Sequence, residues 1–395
     1  MSEKTAILGY GTEGQAMQKY LDGAATVLDE KDDPNAFADL SAYEIVYRSP
    51  GVPLAKIDHP NISSVTKFFF EKCPCPIIGI TGTKGKGTTS TLIYEMLKAA
   101  GRDVYLGGNI GEPPVNFLGQ LNPESIVILE LSSFQLEDLT QSPHIAVVLN
   151  VTSEHLDVHP NTEAYREAKQ PIVKFQSESD HAFISDDYEG SRAFAPLGAG
   201  QKHLFHAHDG SAPLPVPREQ IGLRGDHNLE NITPAVLVAR HLEIPEDTIA
   251  KVLTEFKGLP NRLEPTGEIN GVQYFNDSFS TTPETSIAAA RAFTEPLYLI
   301  AGGSEKNSDF TEWGQVMSNL PHLKKVLLIG LTAPKLGALL PPEKVEMAET
   351  LEAAIEYTKQ NAQPGDVVVM SPACASFDQF KNYKARGQRF RDLTF

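Results

Sequence analysis

The stretch ITGTKGKGTTSTL, residues 80–92, combines glycines, hydroxyls and lysines in the manner of a phosphate cradle. An apolar run, Pro76-Ile77-Ile78-Gly79-Ile80, precedes it, and a helical pattern over Thr91–Leu97 follows. In that strand–loop–helix setting, backbone N–H groups and the helix N-terminus bind phosphate. The common nucleotide loop reads G-x-x-x-x-G-K-[ST]. Here Ile80 takes the place of its first glycine and Gly87 the place of its Ser or Thr. Lys86 is expected to neutralise the β- and γ-phosphates of a nucleotide. Thr88 or Thr89 is expected to offer a hydroxyl to Mg²⁺, and Gly82, Gly85 and Gly87 to let the backbone approach.

Further chemistry clusters after two other apolar runs. Glu130 closes SIVILE within LELSSFQLE, and Glu154, His155, Asp157 and His159 follow HIAVVLNV. Both groups fall where parallel strands end, at the ligand-binding edge of an α/β sheet. Carboxylate and imidazole together suit a divalent metal; His155 taken by itself reads first as a loop residue. Lys169, in EAYREAK, reads alone as a surface lysine. Asn228 and Asn231, in GDHNLENITP, open a helix and either read a base edge or cap it. GYGTEG, Gly9–Gly14, fits G-x-G-x-x-G after a strand, with Asp29 near the end of the next one. That spacing suits a dinucleotide or a nucleotide sugar, and no residues for hydride transfer lie nearby.

The elements that must position these residues alternate between apolar strand-like runs and helical patterns from end to end, which predicts α/β units with mostly parallel sheets. At 395 residues the chain exceeds one ordinary core. Three units are expected. The first, 1–72, holds the glycine turn and strands at ATVLDE and YEIVYRSPGVP. The second, 73–258, holds the phosphate loop, strands at SIVILELSSF and HIAVVLNV, and helices at TEAYREAKQPIVKF, HNLENITPAVLVARHL and PEDTIAKVLTEF. Residues 185–220 read as short strands and surface loops, and KGLPNRLEP, 257–265, as a linker. The third unit, 259–395, has strands at VQYFNDS, PLYLIAGG, KKVLLIG and DVVVMSP, with TLEAAIEYTKQN as its clearest helix.

Net charge is −17, which disfavours nucleic acid as a partner. No apolar run approaches the ~18 residues of a membrane span, and MSEKTAILGYGTEG shows no hydrophobic signal core. Cys73, Cys75 and Cys374 are expected as reduced structural thiols. These features predict a cytoplasmic protein with no membrane or nucleic-acid partner, and we expect a monomer.

Beyond single motifs, the sequence resembles the Mur ligases, and among them the glutamate-adding branch. The matching stretches are RSPGVP, ITGTKGKGTTSTL, GGNIGEP, LELSSFQLE, NVTSEHLDVHP, YREAK, HNLENITPA, GLPNRLE, NDSFSTTPE, GGSEKNSDF and SPACASFDQFKNYKARGQRF. They run through almost the whole chain in the family's order. The resemblance implies three domains, Rossmann-like ones at both ends flanking a central P-loop ATPase domain. It implies an ATP-driven ligase that adds D-glutamate to UDP-N-acetylmuramoyl-L-alanine through an acyl phosphate in peptidoglycan precursor synthesis. Uridine diphosphate and sugar would fall to Thr12, Glu13, Lys31, Ser49 and Gly51, with Asn109, Ser132, Ser133, Phe134 and Gln135 at the muramoyl end. ATP would be held by Gly82, Thr83, Lys84, Gly85, Lys86, Gly87, Thr88 and Thr89 with Asn228, Asn231, Arg262 and Asp277. Glutamate would meet Thr281, Lys306, Ser376, Phe377 and Tyr383. Two Mg²⁺ ions would be served by Thr88, Glu130, His155 and Lys169, the last as a CO₂-derived carbamate. Lys86, His155 and Lys169 would be the catalytic residues.

This chain departs from the family's pattern at Gly87, at Asn261 (often His) and at Phe279, where N-D-S-K would place a lysine. The GKG-Thr loop also resembles that of folylpolyglutamate synthases. A related carboxylate–amine ligase of that kind, and a non-catalytic nucleotide-binding protein, are the alternatives.

Overall fold

A computed structural model describes residues 4–152, 159–305 and 307–395. Glu154, His155, Asp157 and Lys306 therefore lie outside the described residues. The described residues build three sheets. The first contains β1 (Thr5–Leu8), β2 (Thr26–Leu28), β3 (Ile45–Arg48) and β4 (Ile62–Ser64), all parallel, in the order β2-β1-β3-β4. The second contains β5 (Ile77–Thr81), β6 (Val104–Gly108), β7 (Ile126–Glu130), β8 (Ile145–Val148), β9 (His181–Ser185) and β10 (Gln201–Phe205). It too is wholly parallel, in the order β10-β9-β8-β5-β7-β6. All five residues of β5 are buried, as expected of a central parallel strand covered on both faces.

The third sheet contains β11 (Glu264–Ile269), β12 (Val272–Asn276), β13 (Leu297–Gly302), β14 (Leu323–Ile329), β15 (Val345–Glu349) and β16 (Val367–Met370), ordered β11-β12-β16-β13-β14-β15. Only the β11–β12 pairing is antiparallel. Its two-residue connection is Asn270-Gly271, both with positive φ (52° and 79°), the sequence that such a hairpin turn demands. The strand reading thus missed β11, a polar edge strand at EPTGEI, although the Asn-Gly pair signalled it.

The chain divides into two compact units: Met1–Glu219 with Leu229–Leu253, and Gln220–Asn228 with Thr254–Phe395. In the first unit, the first two sheets share a core that runs from Ile7, Met17 and Phe69 through Phe117 to Val127 and Val148. In the second unit, adjacent residues of each central strand serve opposite layers. Leu299, Val326 and Val369 pack with Trp313 on one face, while Ile300, Leu327 and Met370 pack with Phe390 on the other. That is the period-2 alternation of a doubly covered sheet.

Two local differences from the sequence reading have plain causes. The single helix expected over residues 162–175 is two, Thr162–Lys169 and Pro171–Lys174, because Pro171 brings no N–H to continue the ladder. The stretch read as a linker over 257–265 leads straight into β11 and belongs to the second unit. Among the described residues no helix is long and apolar enough to cross a membrane.

Candidate functional site

In the first unit, β5 delivers the chain into the loop Gly82–Gly85, and the helix Lys86–Ala99 leads away from it. Gly85 sits at φ 86°, and a Cβ there would lie 2.0 Å from Asn231 Oδ1. Both conformation and space thus require glycine. Neighbouring segments pin the loop. Thr83 N–H donates to the Asn150 carbonyl (2.6 Å) and Lys84 N–H to Asn150 Oδ1 (2.9 Å). Thr83 Oγ1 accepts from Thr152 N–H (2.9 Å). Asn150 Nδ2 in turn donates to Glu230 Oε2 (3.3 Å), whose other oxygen accepts from Tyr188 Oη (2.8 Å).

Two lysines from different helices meet at the head of this loop. Lys86 Nζ donates to the carbonyls of Gly82 (2.9 Å) and Thr83 (3.0 Å). Lys169 is only 1% exposed. Its Nζ donates to Thr81 Oγ1 (3.3 Å) and to the same Gly82 carbonyl (3.4 Å), and it lies 4.6 Å over the Tyr165 ring. A lysine that reads as a surface residue is thus buried beside the phosphate loop. The Lys86 ammonium, together with the positive N-terminal end of Lys86–Ala99, defines a place for anionic oxygens, and the Lys169 nitrogen lies beside it.

Glu130, at the end of β7, is buried, and its Oε1 accepts from Asn109 Nδ2 (2.9 Å). Asn109 therefore orients the carboxylate that the sequence marked for metal. Thr88 and Thr89 divide their work. Thr89 is fully buried and donates its hydroxyl to the Asn231 carbonyl (3.2 Å), whereas Thr88 keeps 7% exposure in the first helical turn, where Gly87 is buried. Asn231 thus packs on the loop itself. Asn228 caps its own turn, donating from Nδ2 to the Arg224 carbonyl (2.7 Å).

The SSFQLE turn forms a short helix, Ser133–Leu136, with a capping box between Ser132 and Gln135. Gln135 Nε2 donates to Glu13 Oε1 (2.7 Å), and Thr66 Oγ1 contacts Glu13 Oε2 (3.5 Å). Burial pushes the Glu13 carboxyl up to about 7, against the pull of Gln135, Thr66 and Arg48. Ser133 Oγ lies 3.0 Å from His159 Nε2, and the His159 ring stacks on Phe134 at 5.3 Å. Arg48, wholly buried at the end of β3, contacts Asp138 Oδ2 (3.2 Å), Glu137 Oε1 (3.0 Å) and the carbonyls of Phe134 (2.7 Å) and Val52 (3.0 Å). It fastens the SSFQLE turn to the segment that follows Ser49-Pro50-Gly51. Ser49 Oγ donates to the Gly9 carbonyl (2.7 Å). Asp29 accepts from the N–H groups of Tyr10 (2.6 Å) and Lys31 (2.9 Å), so its carboxylate shapes the glycine turn. Thr12 opens the following helix on the surface, and Lys31 and Gly51 are also exposed.

In the second unit, the turn around Arg262 is held by side chains. Asn261 and Leu263 both take positive φ (63° and 43°). Asn tolerates this conformation better than most residues, and Asn261 Oδ1 accepts from Asn276 Nδ2 (3.0 Å). Asp277 accepts from Leu263 N–H (3.2 Å) and Ser371 Oγ (2.7 Å). Burial pushes its carboxyl up to about 6, offset by Ser280, Ser371, the Leu263 N–H and the Arg262 charge. The Arg262 guanidinium carbon lies over the Phe279 ring, 3.8 Å from its centroid, and the Tyr383 and Phe279 rings meet in a T-shape at 5.0 Å and 90°. Arg386, 1% exposed, ties two site loops together. It donates to Ser278 Oγ (3.0 Å) and to the carbonyls of Ser278 (3.0 Å), Cys374 (3.1 Å) and Ala375 (3.3 Å).

Ser376 is buried, while Phe377 beside it is 69% exposed. The helix Tyr383–Thr394 is capped by Asn382, whose Oδ1 accepts from Ala385 N–H (2.9 Å). Thr281 precedes Thr282, the N-cap of the helix Pro283–Arg291.

The residues that the sequence reading left out, Arg48, Asn150, Tyr165, Glu230 and Arg386, support others and face no expected ligand of their own. Two carried a signal. Arg48 and Asn150 are polar residues directly after the apolar cores of strands. Arg386 sits in a helix already rich in arginine, where nothing local distinguishes it.

The Mur ligase middle domain profile matches residues 80–214, and the Mur ligase glutamate ligase domain profile matches residues 261–374. The chain is 37% identical to a UDP-N-acetylmuramoylalanine–D-glutamate ligase of Symbiobacterium thermophilum, over 90% of this chain and 84% of that one. It is 36% identical to the enzyme of the same name from Acetivibrio thermocellus, over 90% and 83%. Among solved structures it resembles MurF of Thermotoga maritima in complex with ADP, with a TM-score of 0.65, 20% identity, and 100% and 95% of the two chains covered. MurC of the same organism gives a TM-score of 0.62 at 16% identity, covering 98% of each. At such identities the structures establish a shared fold, and the two sequence relatives establish kinship. The chain belongs to the Mur ligase family, among its UDP-N-acetylmuramoylalanine–D-glutamate ligases.

Proposed function

We propose that this protein joins the amine of D-glutamate to the alanyl carboxylate of UDP-N-acetylmuramoyl-L-alanine, with ATP converted to ADP and phosphate. The observation that carries this reading is the meeting of Lys86 and Lys169 at the Gly82 carbonyl, at the head of the helix Lys86–Ala99. A carboxylate is a poor acyl donor until its oxygen becomes a leaving group, and transfer of the γ-phosphoryl group makes it one. Such transfer requires positioning and charge neutralisation more than covalent catalysis.

In this reading the loop N–H groups and Lys86 hold the phosphates. The alanyl carboxylate attacks the γ-phosphorus, ADP leaves, and the glutamate amine then attacks the acyl phosphate and expels phosphate. We assign residues 1–72 to the uridine nucleotide, 73–258 to ATP and 259–395 to glutamate. Thr12, Glu13, Lys31, Ser49 and Gly51 remain proposed contacts of the first ligand. Asn228, Asn231, Arg262 and Asp277 remain those of the second, and Thr281, Lys306, Ser376, Phe377 and Tyr383 those of the third. The setting proposed is cytoplasmic peptidoglycan precursor synthesis by a monomer.

Mg²⁺ fits the residues present. Glu130 and Thr88 are hard oxygen donors, and Mg²⁺ is commonly bound by one or two carboxylates plus substrate phosphates. His155 is the further ligand proposed. When bound, the ion would neutralise charge on the transferring phosphoryl group. A plain ammonium at Lys169 would repel a cation. A carbamate on that buried nitrogen would be an anion, and we propose that form.

The test is ADP release. It should require UDP-N-acetylmuramoyl-L-alanine, D-glutamate and Mg²⁺ together, and equal ATP turnover without the sugar nucleotide would overturn the ligase reading. For Lys169→Ala, activity should vanish and short carboxylic acids should restore part of it. Full activity of the wild type in CO₂-free buffer would exclude the carbamate.

A further inference from the structure

A line of side-chain hydrogen bonds reaches the phosphate loop from outside it. The helix Leu229–His241 carries Glu230 in its first turn. Glu230 Oε2 accepts from Asn150 Nδ2 (3.3 Å) and Oε1 from Tyr188 Oη (2.8 Å), while His208 Nε2 lies 3.6 Å from Oε1. The other end of the Asn150 amide faces the loop, where Oδ1 accepts from Lys84 N–H (2.9 Å). That N–H belongs to the same peptide as the Thr83 carbonyl. In a trans peptide the two point to opposite sides, and the Thr83 carbonyl accepts from Lys86 Nζ (3.0 Å). Asn150 and Lys86 therefore grip one peptide plane from its two edges. All of these residues lie in the first unit.

An asparagine amide has a donor end and an acceptor end, and only one orientation serves the Lys84 N–H. An ionised carboxylate accepts and never donates, so Glu230 draws the Nδ2 end and leaves Oδ1 for the loop. We propose that Glu230 is a positioning residue for the nucleotide: it fixes which way the Asn150 amide faces, and through it the Thr83–Lys84 peptide on which the Lys86 ammonium rests. This rests on the reading of the loop as the ATP site. With the amide turned round, Nδ2 would meet Lys84 N–H, donor against donor, and the peptide would lose its support on that edge. An acidic side chain near a site for anions thus acts through the polarity of its hydrogen bonds and not through its charge.

The test compares Glu230→Ala, Glu230→Gln, Glu230→Lys, Asn150→Ala and the Glu230→Ala/Asn150→Ala double variant. Calorimetric titration with ATP and Mg²⁺ gives the ATP Kd, and ADP release gives the KM for UDP-N-acetylmuramoyl-L-alanine. Glu230→Ala should raise the ATP Kd by about three- to tenfold, with the sugar-nucleotide KM within about twofold of wild type. Glu230→Gln should stay close to wild type, because its carbonyl oxygen still accepts from Asn150 and its amide can donate to the Tyr188 oxygen. Glu230→Lys offers only donors and should weaken ATP at least as much as Glu230→Ala. Charge alone predicts the reverse, since a cation near the phosphates attracts them. The double variant should match Asn150→Ala, because without the amide Glu230 has nothing to orient. The proposal is overturned if Glu230→Ala keeps the wild-type Kd, if Glu230→Lys binds ATP as well as or better than wild type, or if the effects of Glu230→Ala and Asn150→Ala multiply. Should Glu230→Ala fold poorly, equal Kd values for Glu230→Gln and Glu230→Lys overturn it as well. Wild-type affinity in Asn150→Ala also overturns it, while the ligase reading stands. Wild-type protein that binds ATP, with the variants ordered as expected, but releases no ADP with D-glutamate would overturn the ligase reading and leave Glu230 in its place.

Discussion

The phosphate loop of the first unit and the Arg262 turn of the second are both sharp reversals beside a sheet, yet they are built in opposite ways. The loop takes its shape first from its own residues, with Asn150 and Thr152 pinning it from outside: Gly85 at φ 86° lets the chain turn and leaves room for Asn231, and Lys86 folds back onto the carbonyls it has just passed. The turn has non-glycine residues at positive φ and depends on side-chain partners, most of them distant in sequence. Asp277, Asn276 and Arg391 reach it from afar, and Glu264 from three residues on. A site made from local backbone can lose its key side chain and keep its shape. A site made from side-chain partners should lose stability when a partner changes.

The largest effect expected is at Lys86. Removal of one charged donor from a transferring phosphate raises the barrier by ~3–4 kcal/mol. Lys86→Ala should therefore lose at least about 10²-fold in ADP release with an unchanged unfolding midpoint. A large drop in that midpoint would erase the contrast between the two regions.

Asp277 tests the other side. Its carboxyl is pushed up to about 6 in the fold, from an ordinary 3.8. The folded state therefore binds a proton more tightly than the unfolded one. The stability from this group is full below pH ~4, is lost as pH rises through 6, and is level above that. The shift corresponds to about 3 kcal/mol. Asp277→Asn cannot titrate, so denaturant unfolding should show the wild type losing about that amount relative to the variant between pH 4 and 6. Parallel curves would mean that Asp277 is not held as a buried acid.

Gly85→Ala should weaken ATP binding. The left-handed conformation alone costs a non-glycine residue roughly 1–2 kcal/mol, and the Asn231 amide must also move. Calorimetric titration with ATP should show about a tenfold loss. On the other side, Gly387→Ala would place a Cβ 1.8 Å from Asn261 Oδ1. Overpacking of that kind costs ~1–3 kcal/mol, which should appear as a lowered melting temperature before any change in ATP binding.

The smallest effect separates the two threonines. Thr89→Val removes the bond to the Asn231 carbonyl and should cost about 1 kcal/mol of stability with little change in kcat. Thr88→Val should do the reverse, lowering kcat through a weaker response to Mg²⁺. Equal kinetic losses in both would show that Thr89 also reaches the nucleotide.

The alternating apolar runs announced parallel α/β sheets, and β5, β7, β8, β13, β14 and β16 lie where those runs are. Edge elements were harder. Residues 62–64 form β4 and residues 264–269 form β11, although neither is continuously apolar. Edge strands need less burial, so their pattern is weaker. Within the site, Lys86 and the loop glycines were plain from spacing, because phosphate binding by backbone is a local arrangement. Lys169 needed the fold. Only in the folded chain does its ammonium, on the helix Thr162–Lys169, reach Thr81 and Gly82.

What the sequence determined by itself follows from short range: the strand–loop–helix around Lys86, the alternation that makes parallel sheets, and the motif order that places the chain among the Mur ligases. Each is carried by residues a few positions apart, or by a pattern repeated in order along the chain. What only the tertiary structure decided is which polar groups are buried together. Arg48 with Asp138, Gln135 with Glu13, Asn261 with Asn276 and Arg386 with Cys374 are separated by 90, 122, 15 and 12 residues. A buried polar group requires a partner, but the requirement does not say which of many distant groups will meet it. That choice is made when the sheets pack, and it converts ordinary surface letters, Lys169 among them, into parts of a site.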